Sequence, residues 1–148
     1  MAVRPIPQGY GTVTPYLIVP DAAAQIDFMR AAFDAVETGR FADSDGRVMH
    51  ASVTIGDSAV MLGEATEEWK PMPCVLHLYV EDTDAVYAKA IAAGARSLRE
   101  PADQFYGDRM AGVEDSVGNQ WWIATHVEDV PREDMERRRK QAEAVEGT

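Results

Sequence analysis

The chain has 148 residues, of which 46% are hydrophobic and 26% charged, a composition typical of one globular domain with a sizeable core. Its net charge of −11 excludes the basic footprint that proteins use to bind nucleic acid or an anionic membrane surface, so we expect neither partner. A single cysteine, Cys74, excludes an intramolecular disulfide, and no apolar run resembles a signal peptide or reaches the ~18 residues of a membrane span, so a soluble cytoplasmic protein is expected.

The first predicted elements are a strand and an amphipathic helix. The apolar run from Val13 to Val19 predicts a strand, and Asp21 suits the N-cap of the helix that follows. Ile26, Met29 and Phe33 recur at helical spacing. Three further strands are predicted at about residues 36–42, 47–55 and 58–64.

The same order of elements recurs 61 positions later in the chain, which indicates an internal repeat. Leu17, Val19 and Asp21 correspond to Leu78, Val80 and Asp82. The second copy is predicted to contain a strand from Val75 to Val80, a helix that ends before Gly94, and strands at about 96–100, 109–115 and 120–126.

The repeat predicts an α+β fold of two tandem βαβββ modules. Each module would cover one face of its sheet with its helix, so the two modules together would form a cup-shaped, eight-stranded mixed sheet with helices outside. Module one spans residues 10–65, a linker spans 66–73 and module two spans 74–130. Residues 131–148 are highly charged, and Pro131 followed by acidic residues predicts a helical tail.

Three stretches carry a resemblance to a known family: "PYLIVPDAAAQIDFMRAAF", "MHASVTIGDSAVMLGE" and "YGDRMAGVEDSVGNQWWIATHVED". With the tandem repeat, they resemble the vicinal oxygen chelate superfamily, which includes glyoxalase I, bleomycin-resistance proteins and extradiol dioxygenases. The sequence is most similar to the PhnB-like subgroup. The resemblance covers about residues 10–130 and implies a glyoxalase-like domain over 1–130, a small organic ligand and a homodimer.

The resemblance also implies where a metal would be bound. In metal-dependent members the ligands lie on the first and fourth strands of each repeat, which corresponds here to Thr14, Val75, Trp122 and a position near Leu62. Three of these side chains offer no donor atom to a metal and threonine is a poor ligand. We therefore expect no glyoxalase I-type metal site and no required cofactor.

Strand alternation predicts which side chains line the inside of the cup. The predicted set contains aromatic, histidine and other polar residues, and we expect it to bind the ligand: Tyr16, His50, Ser52, Glu64, His77, Tyr79, Trp122 and His126. Trp121 is expected on the opposite side, against the helices, as is the apolar face of the third strand: Met49, Ala51, Val53 and Ile55. On the fourth strand, Leu62 is expected to share the cup face with Glu64. Glu64 and His126 are taken as equivalent positions of the two repeats.

Two residues of the "QFYGDRMAG" segment are candidates at the mouth of the cup. Arg109 would bind an anionic group, and Tyr106 would close over the ligand. A surface ion pair between Arg109 and either Asp108 or Glu114 is the alternative. Each histidine of the cup likewise has a purely structural alternative, as a satisfied hydrogen-bonding residue on a strand.

Three functions remain open from the sequence. One is metal-independent binding of a small molecule, as in sequestration or resistance. The alternative is a metal-dependent lyase, isomerase or dioxygenase with His50, His77 and Glu64 as ligands. A third is metal-free acid–base catalysis by a histidine of the cup.

Overall fold

The computed structural model describes residues 2–146 and contains two βαβββ modules followed by a third helix. Both βαβββ modules are therefore found as predicted, and the part of the predicted tail up to residue 146 contains a helix, while residues 147–148 of that tail lie outside the described residues. The elements of module one are β1 (Tyr16–Val19), α1 (Ala22–Phe33), β2 (Val36–Ala42), β3 (Val48–Ile55) and β4 (Ser58–Glu64). Those of module two are β5 (Val75–Tyr79), α2 (Thr83–Ala92), β6 (Arg96–Asp103), β7 (Asp108–Glu114) and β8 (Gln120–His126), and the tail is α3 (Arg132–Glu146).

The strands form two separate four-stranded sheets, in the orders β1-β4-β3-β2 and β5-β8-β7-β6. The first strand of each module runs parallel to the last, and the other pairs are antiparallel. The prediction of two βαβββ modules with mixed strand pairing is confirmed, but within residues 2–146 no hydrogen-bonded ladder joins the two sheets into the predicted eight-stranded sheet. None of the helices in that part of the chain is long and apolar enough to cross a membrane.

Both module helices begin where the sequence predicts. The side chains of Asp21 and Asp82 each accept a hydrogen bond of 3.1 Å from the backbone N–H three residues later, at Ala24 and Ala85. This satisfies a donor that the first helical turn leaves unpaired. Gly94 lies just beyond α2 with a φ of +106°, a backbone conformation that glycine adopts without steric cost.

The hydrophobic core lies on the helix-facing sides of the two sheets and is shared between the modules. Leu17, Leu62 and Ile123 are fully buried there, together with Ile26 of α1. Trp121 is also completely buried, and its ring centroid lies 4.7 Å from that of Phe33 in α1. Trp121 therefore joins β8 of module two to the helix of module one, which confirms its predicted helix-facing position.

A buried carboxylate, Asp115, connects the same two modules by hydrogen bonds. Its side chain accepts from Gln25 Nε2 of α1 at 2.9 Å and from Trp121 Nε1 at 2.9 Å. It also accepts from the Asn119 side chain and from the backbone N–H groups of Val117 and Asn119. Because Asp115 is only 5% exposed, these five donors replace the water that the charge loses on folding.

We predict that Asp115→Ala lowers the free energy of unfolding by roughly 3 kcal/mol, since it leaves several buried donors unpaired. Urea denaturation followed by far-UV circular dichroism measures this change. Gln25→Ala should cost less, about 1–2 kcal/mol, because it removes one donor and leaves the others in place. The matched control is Asp57→Ala in the exposed β3–β4 turn, which should change stability by less than about 0.5 kcal/mol. Equal effects at Asp57 and Asp115 would contradict the role of Asp115.

Candidate functional site

The face of each sheet that turns away from α1 and α2, the cup face, carries most of the predicted site residues. In module one, Tyr16 pairs with Met61, and Met61 pairs with Ser52, so these three share a face opposite to the buried Leu17 and Leu62. In module two, His77 pairs with Trp122, and Tyr79 pairs with Ala124, opposite to Trp121 and Ile123. The structure places the following predicted residues on the two cup faces: Tyr16, His50, Ser52, His77, Tyr79, Trp122 and His126.

Glu64 lies on the helix side of its sheet, so its predicted cup position is wrong, as is that of Leu62. Its Oε1 accepts from the backbone N–H of Ala22 at the start of α1, and Oε2 pairs with Arg47 Nε at 2.8 Å. The equivalent contact in module two is made by Thr125, which accepts from the backbone N–H of Thr83 at 3.0 Å. Thr125, and not His126, is therefore the counterpart of Glu64.

The physical reason for this error is the length of one turn. In module one, Ile55 pairs with Ser58 across a two-residue turn, whereas in module two Glu114 and Gln120 enclose the longer loop 115–119. Aligning the turns shifts the final strands by one position, and a shift of one exchanges the two faces of a strand.

Met49 was also expected among the helix-facing residues of β3, but it is exposed on a β-bulge. Phe41 pairs with His50, and the next pair is Ala42 with Val48, so Met49 is the extra residue. Val48 fills the core position that was predicted for Met49. The bulge leaves His50 on the cup face.

The residues present do not fit the divalent metal of the family's metal-dependent members. Trp122 occupies the cup face of β8 as predicted, and its counterpart on β4 is the thioether side chain of Met61. The alternative ligand set of His50, His77 and Glu64 is not assembled in the chain, because Glu64 lies on the other side of its sheet. Residues 2–146 contain no group of three or more His, Cys, Asp or Glu side chains able to hold a metal.

Trp122 lies over Gly112 of the neighbouring strand. A Cβ atom built at Gly112 would overlap the indole ring, so the absence of a side chain there lets the ring lie against the sheet. The indole N–H donates to the Gln120 side chain at 3.2 Å. On the other side of Trp122, the His77 and Tyr79 rings contact each other with centroids 5.0 Å apart. Three ring systems therefore line the cup face of module two.

Asp108, Tyr79 and His126 form a hydrogen-bonded cluster at the end of this face. Asp108 is 3% exposed, and its two oxygens accept from the Tyr79 hydroxyl and from His126 Nδ1, both at 2.8 Å. The other ring nitrogen, Nε2, lies 2.7 Å from Asp129 Oδ1. Since carboxylates only accept, both ring nitrogens donate, which is the hydrogen bonding of an imidazolium. Sequence reasoning missed Asp108, although alternation along β7 from Gly112 would have placed it on the cup face.

The charges of the cluster reinforce one another. Hydrogen bonds to Asp108 and then to Asp129 raise the pKa of His126. Burial disfavours the ionised form of Asp108, but hydrogen bonds from His126 and Tyr79 outweigh it and lower the pKa of this carboxyl. The hydrogen bond to Asp108 raises the pKa of Tyr79, which keeps the phenol neutral.

Arg109 lies on the opposite side of β7 from Asp108. Its guanidinium pairs with Asp84 of α2 at 2.7 Å and with Asp103 at 3.2 Å, so the expected alternative pairing with Asp108 or Glu114 is wrong. Tyr106 stays near the cup face, where its hydroxyl donates to Met110 Sδ at 3.5 Å. Arg109 is thus held by carboxylates on the helix side, so its predicted position at the mouth of the cup is wrong, while Tyr106 borders the cup.

The cup face of module one is partly covered by the chain's own N-terminal segment. The Tyr10 hydroxyl donates to Ser52 Oγ at 2.9 Å, and a small cavity lies between Pro5, Ile6 and Met61. Beside it, Tyr16 and His50 contact each other, with the hydroxyl 3.4 Å from Nδ1. The two modules therefore present different surfaces, one screened and one open.

We predict that His126 titrates above the ordinary histidine pKa of about 6.5, because both ring nitrogens donate to carboxylates. The protonated form is bound more favourably in the folded protein, so its contribution to stability is full below about pH 6.5 and is lost as pH rises through the folded-state pKa. A pH titration of the histidine ring signals by NMR measures the midpoint. Asp129→Asn should lower it, and a midpoint at or below 6.5 in the unaltered protein would contradict the cluster.

The comparisons with known proteins agree with this architecture. The family model of the glyoxalase/bleomycin resistance protein/dioxygenase superfamily matches residues 10–123. The uncharacterized protein Rv0887c of Mycobacterium tuberculosis is 36% identical over 135 residues, which cover 84% of this chain and 79% of that protein.

Two solved structures show the same fold at lower identity. TioX from Micromonospora sp. ML1 superposes with a TM-score of 0.68 at 22% identity, over 79% of this chain and 100% of that one. A Bacillus cereus PhnB protein, described as a putative 3-demethylubiquinone-9 3-methyltransferase, gives a TM-score of 0.64 at 18% identity, over 78% of this chain and 98% of that one. The family match, the mycobacterial relative and the two βαβββ modules agree with one another. The chain belongs to the glyoxalase/bleomycin resistance protein/dioxygenase superfamily.

Proposed function

We propose that this protein binds a small organic molecule on its cup faces without a glyoxalase I-type metal site, as a sequestering or resistance protein would. The observation that carries the proposal is the row of aromatic rings on the open face of module two. Tyr79 is 67% exposed there, beside His77 and Trp122. Exposed rings that share one face of a sheet offer stacking surfaces to a planar ligand.

The net charge of the protein favours a cationic ligand, because a charge of −11 adds a long-range attraction for cations. The carboxylates nearest the rings are already paired, Glu114 with Arg96 and Asp108 with Tyr79 and His126. Planar aromatic molecules that carry a positive charge are therefore the first compounds to test.

A homodimer would complete the cup. Val75 and Tyr79 on β5 are 65% and 67% exposed, and Phe41 on β2 is 70% exposed, which is unusual for apolar strand residues. A twofold axis would place the module-one cup face of one chain against the module-two cup face of its partner. The same axis generates a second, equivalent pair of facing modules. Each partner would then cover the apolar side chains that are exposed on the other.

We predict that a planar cationic dye such as ethidium quenches the tryptophan fluorescence of a Trp69→Phe variant, and that a further Trp122→Phe change removes most of the quenching. Trp121 is buried in the core, so Trp122 is the remaining emitter that a ligand on the cup face reaches. Equilibrium dialysis of the dye, with other planar drugs in parallel, measures binding independently of fluorescence. A dialysis panel in which no compound binds, together with unchanged emission, would count against the proposal.

We also predict that Val75→Lys shifts the protein from dimer to monomer, because it places a charge where the partner would bury an apolar side chain. Sedimentation velocity measures the oligomeric state. The matched control is Val3→Lys, at a residue that is 90% exposed and lies outside both sheets. A monomeric starting protein, or equal behaviour of the two variants, would refute the dimer.

A further inference from the structure

We propose that Tyr79, Asp108 and His126 form a metal-free proton-transfer site at one end of the module-two cup face, with His126 Nε2 as the atom that exchanges a proton with a bound ligand or its attacking water. This inference rests on the proposed binding of a small molecule in the cup. It assigns a chemical step to a cluster that binding alone does not require.

The buried carboxylate determines which nitrogen of His126 is presented to a ligand. Asp108 holds Nδ1 at 2.8 Å, and it is itself fixed by the Tyr79 hydroxyl at 2.8 Å. When the imidazolium loses one proton, the Nδ1–H stays with the buried carboxylate because that acceptor has no water to replace it. Nε2 then becomes the free base, in a fixed orientation.

In the resting protein Asp129 accepts a hydrogen bond from His126 Nε2, but this contact is easily broken. Its side chain is fully exposed, whereas His126 is half exposed, so the 2.7 Å contact competes with water on every side. The backbone around it is better fixed, since the N–H groups of Val127 and Glu128 both donate to the Gly107 carbonyl. A rotation of the Asp129 side chain alone therefore frees Nε2 without moving the chain.

The surroundings of the cluster contain few other charges. Asp108 faces His77 and Tyr79 from β5 and lies near the Tyr106 hydroxyl, while His126 faces Asp108 and Asp129. Arg109, next to Asp108 in the chain, pairs with Asp84 and Asp103, and Arg138 of α3 pairs with Glu128 at 2.8 Å. The positive charge of Arg99 acts on Tyr106. The proton affinity of His126 is thus governed by its two carboxylates.

The step itself is a simple proton balance. As an acid, the imidazolium passes its Nε2 proton to an oxygen or nitrogen of the ligand and becomes a neutral imidazole that still donates from Nδ1 to Asp108. As a base, the neutral imidazole takes a proton from water while the water oxygen attacks a carbonyl carbon of the ligand. The bond from that carbon to the leaving group then breaks, and Nε2 passes the proton to the leaving group or to solvent, so His126 is regenerated and the net reaction consumes one water. Ligands with an activated ester or similar acyl group are the class that this step would convert.

Hydrolysis of 4-nitrophenyl acetate in the presence of EDTA tests the proposal with a defined probe. We expect a protein-dependent rate that rises with pH as His126 loses its proton, and that falls about tenfold or more in His126→Gln. Asp129→Asn should raise the rate at pH 7 several-fold, because it frees Nε2 and increases the neutral fraction of the imidazole. The matched control is Glu128→Gln, which removes the adjacent carboxylate that pairs with Arg138 and should leave the rate within about twofold.

The positioning residues are tested by the shape of the pH profile. Asp108→Asn should move the midpoint of the rate to lower pH. Tyr79→Phe should move it slightly to higher pH, because Asp108 then loses a competing donor and holds the imidazolium proton more strongly. Circular dichroism shows whether each variant is folded. If Asp108→Asn does not fold, long-range nitrogen–proton NMR of the unaltered protein reports the tautomer directly, and a neutral His126 protonated at Nε2 overturns the proposal.

A wild-type rate in His126→Gln, or indistinguishable effects of Asp129→Asn and Glu128→Gln, would equally overturn it. These outcomes are separable from failure of the proposed binding function. If the dye still quenches Trp122 fluorescence while the esterase rate does not depend on His126, the cup binds ligands but the cluster does not transfer protons.

Discussion

The arrangement of this protein depends on one buried charge. Asp115 gathers hydrogen bonds from the helix of module one, from the loop that precedes β8 and from the indole of Trp121. A carboxylate without these donors would be costly to bury, so the three elements must come together at the same point. The aromatic contact between Trp121 and Phe33 lies beside it and adds the apolar part of the same junction. The two modules are therefore joined through their helix-facing sides.

The junction between the two modules determines which surfaces remain exposed to a ligand. Since the helices and the helix-facing sides of both sheets are committed to one core, the cup faces remain as the surfaces on which polar and aromatic side chains are exposed. Module two uses its surface for three rings and for the Tyr79–Asp108–His126 cluster. The histidine is half exposed while its carboxylate partner is buried, which is a common division between a reacting group and the group that orients it.

The sequence was sufficient for the elements and for most of the faces, because those follow from local periodicity. The repeat located both helices, and alternation put Trp121 in the core and Trp122 on the cup face, where the structure has them. Glu64 and Met49 were misplaced because the different lengths of two equivalent turns and a β-bulge each change the parity of a strand, and neither is visible in the composition of that strand. Asp108 was missed for another reason. Its role depends on pairing with His126 across two strands, and Arg109 beside it offered a simpler local partner.

The hydrogen bond from Tyr10 to Ser52 has a consequence for how a duplicated fold diverges. Two copies of one module begin as equivalent surfaces, and a ligand would have no reason to prefer either. A short extension before the first strand is enough to end that equivalence, because it screens one copy while leaving both sheets unaltered. Specialisation of a tandem repeat can thus start in the segment before a first strand, with a few residues there in place of altered strands.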